Sequence, residues 1–221
     1  AGSDDGDVDG DGFVSSLCCG RGGARLEGGA DCDDESTTVN PTAHVGAAIC
    51  HDSARQRLVL FGGYGDQSHQ ADTWELAGTT WTERAAACPG SRTGHSLVFD
   101  DSRQRAVLFG GYDPYGQTYM LETWEWDGGN WDRRTPAISP PPRLHHAMAY
   151  DPILQRVVLF GGADTNNNSL DDTWEWDGIG WTLRTPATRP TARRAHVMTF
   201  SWPNLRILLY GGGTPETWEW D

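Results

Sequence analysis

The sequence lacks lysine, long apolar runs and any helical hydrophobic period of useful length. Its longest apolar stretches, such as Val157–Phe160 and Ile207–Tyr210, are far shorter than the roughly 20 residues of a membrane-spanning helix. We therefore expect no membrane insertion. The sequence also lacks a GxSxG nucleophile motif, an HExxH zinc motif and a phosphate-binding glycine loop. No common catalytic motif thus indicates an enzyme.

The cysteines do not form the spaced CxxC pairs of a zinc site. The five are Cys18, Cys19, Cys32, Cys50 and Cys88. This pattern favours disulfides in an oxidising compartment, although an odd number leaves at least one thiol unpaired. Cys50 and Cys88 could form a disulfide that ties one segment to the loop that follows it. The chain opens without the basic start and apolar stretch of a signal peptide, so a secreted form would be mature or a fragment.

The net charge of −14 is concentrated at the N-terminus, where residues 1–40 hold ten acidic residues and two arginines. Such a balance repels nucleic-acid backbones and anionic lipid surfaces, so we expect no nucleic-acid partner. It also offers many carboxylates to hard cations such as Ca²⁺.

A repeat of about fifty residues is the strongest signal in the 221-residue chain. Four apolar segments end in a diglycine, at residues 57–63, 105–111, 156–162 and 206–212, and their first glycines are 48, 51 and 50 residues apart. Each is followed by a second constant piece, DTWEL, ETWEW, DTWEW or ETWEW, at residues 72–76, 122–126, 172–176 and 216–220. Three copies carry a further Trp seven residues beyond the first Trp of that piece, at Trp81, Trp131 and Trp181.

These pieces predict four short strands per repeat. The Val/Leu/Phe run before each diglycine is typical of a strand buried on both faces. In the TWEW pieces the apolar residues alternate, so the two indoles share one face of the strand. The Asp-Gly pairs that follow, such as Asp127-Gly128, indicate a tight turn into the next strand.

A four-stranded unit of this period, rich in Gly and aromatic residues, is typical of a β-propeller blade. The chain resembles the kelch-repeat family, and the resemblance rests on the diglycines, the fourth-strand Trp and an Arg/His lead-in at residues 92–95, 143–146 and 193–196. It implies an all-β kelch-type propeller over residues 42–221, after an acidic, loop-rich segment at residues 1–41. Because kelch propellers include oxidases, lyases and binding scaffolds, the resemblance implies a fold rather than a function.

The propeller shows about four blades, at residues 42–88, 89–139, 140–190 and 191–221, and the last is incomplete because it stops after its third strand. Kelch rings generally need more blades, so we expect missing C-terminal blades. The alternatives are a strand donated by the N-terminal segment and self-association of two arcs into one ring.

Residues that recur in every blade are assigned to structure first. We expect the recurring glutamates to pair with the arginines that begin the second strands, or with backbone donors, and the tryptophans to pack between blades. The glutamates are Glu75, Glu125, Glu175 and Glu219, and the arginines are Arg57, Arg105, Arg156 and Arg206. His95, His146 and His196 could form a three-histidine metal site, but hydrogen bonding between blades is the preferred interpretation.

Function is expected where the repeat breaks. The connectors between strands one and two, and between three and four, are short and uniform, whereas those on the other face vary in length and chemistry, as at residues 64–71, 112–121, 136–143 and 163–171. Variable loops on a rigid scaffold favour a binding role. The ligand-contact candidates are His69, Tyr112, Tyr115, Tyr119, Asn166, Asn167 and Asn168.

Two acidic clusters near the N-terminus predict a calcium site. Residues 7–12 match the first half of a calcium loop, but Cys18 stands where an EF-hand has its bidentate Glu. With the second cluster, residues 31–35, they resemble the acidic, cysteine-containing metal-binding motif of secreted bacterial proteins and a thrombospondin type 3 repeat. The resemblance implies Ca²⁺ ligands at Asp7, Asp9, Asp11, Asp31, Asp33 and Asp34. It also implies a disulfide from Cys18 or Cys19 to Cys32.

The leading functional hypothesis is a secreted or cell-surface bacterial protein that binds calcium and recognises a protein or glycan through its variable loops. One alternative is an enzyme of the galactose oxidase type, whose catalytic set of cysteine, tyrosines and histidines we cannot assemble here. Another is a structural component of a surface layer or fibre.

Overall fold

The computed structural model describes residue 41 and residues 44–65, 68–84 and 89–221, apart from the side chains of Ser68 and His69. These residues form 17 strands and no helix. Within this part of the chain, no helix has the length and apolar character needed to cross a bilayer.

The strands form four successive antiparallel blades. Blade 1 contains β1 (Ala48–Asp52), β2 (Arg57–Gly65), β3 (Ser68–Ala77) and β4 (Thr80–Arg84). Blade 2 contains β5 (Ser96–Asp100), β6 (Arg105–Phe109), β9 (Thr123–Trp126) and β10 (Trp131–Arg134), with the hairpin β7 (Tyr112–Asp113) and β8 (Thr118–Tyr119) inserted. Blade 3 contains β11 (Ala147–Asp151), β12 (Arg156–Phe160), β13 (Thr173–Trp176) and β14 (Trp181–Arg184). Blade 4 contains β15 (His196–Ser201), β16 (Arg206–Gly211) and β17 (Thr217–Trp220).

Within each blade the strands follow one another as a meander, and the sheet of blade 4 has three strands. The predicted all-β propeller arrangement, with an incomplete last blade, is therefore confirmed. The register places Trp176 beside Trp181, and Trp126 beside Trp131, in the same way in blades 3 and 2. This recurrence shows that the repeat in the sequence is also a repeat of register.

The diglycines are required by close contact between blades. Gly110 has a φ of 69°, and a Cβ atom added there would lie 2.7 Å from the carbonyl oxygen of Arg143 in the next blade. Both the left-handed conformation and the approach of a neighbouring backbone therefore select glycine.

The hydrophobic core lies between blades rather than inside one layer. Three apolar clusters fill the junctions of blades 1 and 2, 2 and 3, and 3 and 4. At the second junction Phe109 of blade 2 packs against Trp181 of blade 3, with ring centroids 5.2 Å apart. The second strand of blade 3, β12, contributes to the junctions on both of its sides. Val157 belongs to the cluster between blades 2 and 3 and Val158 to the cluster between blades 3 and 4, which explains why both are buried.

Tryptophans and glutamates also connect neighbouring blades. The indole Nε1 of Trp126 donates to Glu75 of the preceding blade at 3.1 Å, and Trp176 donates to Glu125 at 2.9 Å. Glu75 in turn accepts from Arg57 at 2.7 Å. The structural interpretation of the recurring glutamates and tryptophans is thus confirmed, and three of the predicted arginine pairs are formed, by Arg57 with Glu75, Arg156 with Glu175 and Arg206 with Glu219.

The prediction for Arg105 is wrong. In blade 2, Glu125 is instead bound by Arg134 of β10 and by Arg103, which is also held by Asp100. Arg105 instead makes only a long contact of 3.5 Å to the carbonyl oxygen of Gln104. Arg103 lies in the turn between β5 and β6, so it approaches the Glu125 carboxylate from the end of the blade where that turn lies.

The three inner-strand histidines are buried against phenylalanines of the preceding blade. His95 donates from Nε2 to the carbonyl oxygen of Phe61 at 3.1 Å, as predicted for a contact between blades. No hydrogen bond is formed by the ring nitrogens of His146, however, so the expected bond is missing there. Among the described residues, no group of three or more His, Cys, Asp or Glu side chains is placed to hold a metal ion.

The N-terminal predictions lie outside the described residues. This applies to the segment 1–40 and therefore to all six aspartates proposed as Ca²⁺ ligands.

In blade 1, Cys50 carries a free thiol. Its expected partner Cys88 is also outside the described part of the chain, so the proposed disulfide is not seen.

Candidate ligand-binding face

The variable connectors meet on one face of the propeller, which we call the variable face. In blades 1 to 3, short bridges join the lead-in of the inner strand to the end of the second strand or to the connector that follows it. They pair Val45 with Tyr64, Thr93 with Tyr112, and Leu144 with Ala163. The lead-in segments and the segments between strands two and three are therefore paired through their backbones at the same end of the blades. The turns at Asp127 and Asp177 lie at the opposite end.

A buried arginine anchors this face in each of blades 2 to 4. Arg143 donates to the carbonyl oxygen of Gly161 at 3.0 Å and, through both terminal nitrogens, to Asp172 at 2.7 Å. Arg92 binds Gly110 and Glu122 in the same way, and Arg193 binds Gly211 and Glu216. Each guanidinium thus fixes the diglycine turn to the start of the third strand.

Blade 1 uses a histidine for the same purpose. His44 Nδ1 is 2.8 Å from the carbonyl oxygen of Gly62, and Nε2 is 3.6 Å from Asp72. Sequence reasoning missed this substitution and the acidic partners of the arginines. The available signal was their spacing, because Asp72 lies 28 residues after His44 and Asp172 lies 29 after Arg143.

The arginine anchors of blades 2 and 3 favour the ionised form of their acidic partners. Burial alone would raise the pKa of Asp172, but the hydrogen bonds and charge of Arg143 outweigh it and hold the pKa below its ordinary value. The pKa of Glu122 is lowered in the same way against its own burial, by hydrogen bonds from Trp124 and Arg92. The arginine–carboxylate pairs at Arg92 and Arg143 are therefore charged on both sides near neutral pH.

The hairpin β7–β8 of blade 2 carries the three candidate tyrosines. Tyr112 and Tyr119 lie opposite each other in the hairpin and pack edge to face, with ring centroids 5.1 Å apart. Tyr115 lies at the tip and is 58% exposed. The carboxylate of Asp113 accepts from the backbone N–H of Tyr115 at 3.0 Å, so the tip is ordered by its own turn. This hairpin presents an aromatic side chain to solvent.

The asparagines of blade 3 form a second ordered loop. Asp164 accepts from the backbone N–H groups of Asn166 and Asn168, and also from the side-chain amide of Asn168 at 3.1 Å. Asn167 has a φ of 64° and accepts from Arg194 of the next lead-in. The side chains of Asn167 and Asn168 therefore already have partners, while Asn166 lies exposed.

The remaining candidate, His69, lies on β3 opposite Tyr64. Its side chain is outside the described part of the structure. Tyr64 is 42% exposed on the same rim. The structure thus places six of the seven candidates on connectors of the variable face and His69 in the first, turn-proximal part of β3, and it spreads them over three blades rather than into one pocket.

The central axis is lined by the inner strands. A cavity of about 390 Å³ lies among them, with Cys50, Met148 and Thr199 in its wall. Burial raises the pKa of the Cys50 thiol, and the nearby Asp52 adds to the effect. The thiol is therefore protonated at neutral pH, which makes a nucleophilic role for Cys50 in this channel unfavourable.

Comparison of the chain with protein-family models and with curated proteins finds no match. The chemistry of the variable face must therefore be argued from its own residues. It offers aromatic rings, amides and hydroxyls on a charge-paired scaffold, a combination suited to binding rather than to acid–base or nucleophilic catalysis.

Proposed function

We propose that this protein is a kelch-type binding module that recognises a protein or glycan through the variable face. The observation that carries the proposal is the exposed Tyr115 at the tip of a hairpin whose base is fixed by Tyr112 and Tyr119. An ordered, exposed aromatic ring contributes contact area at low entropic cost. Asn166 on the neighbouring blade supplies an exposed amide for hydrogen bonding.

The test uses a glycan array and a phage-displayed peptide library as probes, followed by titration of the best binder. Tyr115→Ala should weaken binding by roughly tenfold or more, as expected when a central aromatic contact is lost. Ile179→Ala is the matched control, because Ile179 is 85% exposed in the β13–β14 turn at the opposite end of the blades. Binding that depends on Ile179 and ignores Tyr115 would contradict the proposal.

We also propose that the N-terminal segment binds Ca²⁺ and that the protein works outside the bacterial cell, either secreted or on the surface. The support is the alternating Asp7, Asp9 and Asp11 with a second acidic cluster 20 residues further on. Calorimetric titration of the full chain with millimolar Ca²⁺ should give saturable heat. The variant Asp9→Asn with Asp33→Asn should abolish it, and no heat from the unsubstituted chain would reject the site.

A further inference from the structure

The corner of the variable face between blades 3 and 4 differs from the rest of that face. The lead-ins of the four blades, at residues 44–47, 92–95, 143–146 and 193–196, are joined in series by backbone hydrogen bonds. Gly94 donates to the carbonyl oxygen of Gly46 at 3.3 Å, His145 to that of Gly94 at 2.7 Å, and Ala195 to that of His145 at 2.8 Å. These four residues therefore occupy one equivalent backbone position.

This position requires a left-handed backbone, with φ between 55° and 72° in all four blades. Blades 1 and 2 use glycine, which adopts this conformation without a steric penalty, whereas His145 and Ala195 adopt it at an energetic cost. Most other left-handed non-glycine residues recur at one equivalent turn of every blade, which marks them as structural; they are Gln56, Gln104, Gln155 and Leu205. The imidazole of His145 has no such counterpart, and backbone strain kept at a single position is typical of a functional site.

Arg194, next to this position in blade 4, is an arginine of the variable face without a carboxylate partner among the described residues. The three buried anchor arginines and the exposed Arg133 and Arg189 all bind a carboxylate. Arg194 donates only from Nη1, to the backbone and side-chain oxygens of Asn167 in blade 3. Its Nε and Nη2 atoms have no partner in the part of the chain that the structure describes. One edge of the planar guanidinium is therefore free for an anion with two oxygens.

The imidazole of His145 lies close enough to Arg194 for the two groups to interact. Burial and the charge of Arg194 lower the pKa of His145 below its ordinary value, so the ring is neutral near pH 7. A Cβ atom added at Gly94 would lie 3.2 Å from Nδ1 of His145, so the glycine of blade 2 leaves room for this ring. The corner thus combines an uncompensated positive charge with a neutral ring that can donate a hydrogen bond.

The hairpin beside this corner is polar. Residues 165–169 of blade 3 are all exposed and read Thr-Asn-Asn-Asn-Ser, without an apolar side chain. Hydroxyls and amides suit the ring hydroxyls of a sugar, since each both donates and accepts. The net charge of −14 repels a polyanion, so a ligand with a single carboxylate is favoured.

We propose that this corner binds the carboxylate of a sugar acid, so that the ligand of the variable face is a glycan that carries a uronic acid. The free edge of Arg194 binds the carboxylate, His145 donates to it, and the amide of Asn166 binds a ring hydroxyl. This inference rests on the proposed function and narrows its ligand from a protein or glycan to an acidic glycan.

The test is a fluorescence anisotropy titration of the full chain with a labelled trisaccharide that ends in glucuronate and with the same trisaccharide ending in glucose. The glucuronate probe should bind roughly tenfold more tightly or better, because it adds charge-assisted hydrogen bonds. Arg194→Gln should remove this difference and leave the affinity for the glucose probe unchanged. Equal affinities, no binding of either probe, or tighter binding of a labelled Asp-containing tripeptide would overturn the proposal.

His145→Gly tests whether the strained backbone serves binding. It restores the residue of blades 1 and 2, so the melting temperature should stay equal or rise by about 2 °C, while glucuronate binding weakens several-fold. Ala195→Gly is the matched control, since it relieves the same strain and should leave binding unchanged. A fall of the melting temperature with His145→Gly would make His145 a structural residue and contradict the proposal.

Two further measurements separate this inference from its alternatives. Glucuronate binding that appears only after Asp31, Asp33 and Asp34 are replaced by Asn would overturn it, because the acidic N-terminal segment would then be the occupant of the corner. An array binder that depends on Tyr115 but not on Arg194 would leave the proposed function intact and refute this inference alone. If no binder depends on Tyr115, the proposed function fails, and the effect of Arg194→Gln on the glucuronate probe decides this inference separately.

Discussion

Acidification should destabilise this propeller through its buried inner-strand histidines, well before its carboxylates titrate. Burial, with the charge of Arg92, lowers the pKa of His95 from 6.5 to about 3. Burial and Arg193 lower the pKa of His196 to about 4, and burial with Arg143 places the pKa of His146 well below its ordinary value. All three imidazoles are therefore neutral in the folded protein.

The sign and size of the effect follow from linkage. Below pH 6.5 the unfolded chain takes up protons that the folded chain does not, so stability is full above that pH and falls toward the folded pKa values. Between about pH 7 and about pH 5, one such histidine costs about 2 kcal/mol. His95 and His196 together thus cost about 4 kcal/mol, and His146 adds to the loss. Glu75 and Asp172, whose pKa values are lowered, lose their contribution only at lower pH.

The assay is urea unfolding followed by tryptophan fluorescence at about pH 7 and about pH 5, which gives the free energy of unfolding at each pH. His95→Gln keeps a donor toward the Phe61 carbonyl oxygen but cannot titrate. Its loss of stability between the two pH values should be about 2 kcal/mol smaller than that of the unsubstituted protein. His51→Gln, at an exposed position of the neighbouring β1, should leave the loss unchanged.

The reasoning would be refuted if His95→Gln and the unsubstituted protein lost the same free energy between the two pH values. It would be refuted equally by a stability that stays constant down to about pH 5, because linkage then allows no proton uptake on unfolding.

Three further predictions concern contacts that carry the fold. Gly110→Ala should destabilise the protein by about 2 kcal/mol or more in urea unfolding, because its Cβ would meet the Arg143 carbonyl oxygen at a positive φ, whereas Gly180→Ala, with open space around it, should change little. Arg143→Lys should cost about 2 kcal/mol in the same assay, because a lysine cannot donate at once to Asp172, Gly161 and Pro141; Arg133→Lys on the exposed face of β10 is its control. Glu125→Ala should cost about 3 kcal/mol, because it strands Arg134 and Trp176; a melting temperature equal to that of the unsubstituted protein would contradict the network.

The strands and their order were predictable from local pattern. The run of Val157–Phe160 and the alternation of Thr173–Trp176 are signals of side-chain period, and each diglycine marks where a strand must end in a tight approach. The arrangement of variable connectors on one face followed from the meander alone. The assignment of Tyr115 and its neighbours to ligand contact stays a prediction.

Contacts between blades were less predictable because they join residues about fifty positions apart, where small differences in turn geometry change the partner. Arg103 instead of Arg105 reaches Glu125, and His44 takes the place of an arginine in blade 1. Arg103 and Arg105 lie two positions apart beside the same strand, β6, and the local side-chain pattern is the same whichever of them binds Glu125. The sequence therefore contains no signal that distinguishes the two arginines.

The sequence by itself determined the repeat, the strand positions and the glycine turns, since these depend on the conformational preferences of short segments. Only the tertiary structure decided which indole donates to which hydroxyl and which guanidinium binds which carboxylate. The physical reason is that burial and hydrogen-bond geometry between neighbouring blades depend on the relative placement of whole sheets, which local preferences do not fix.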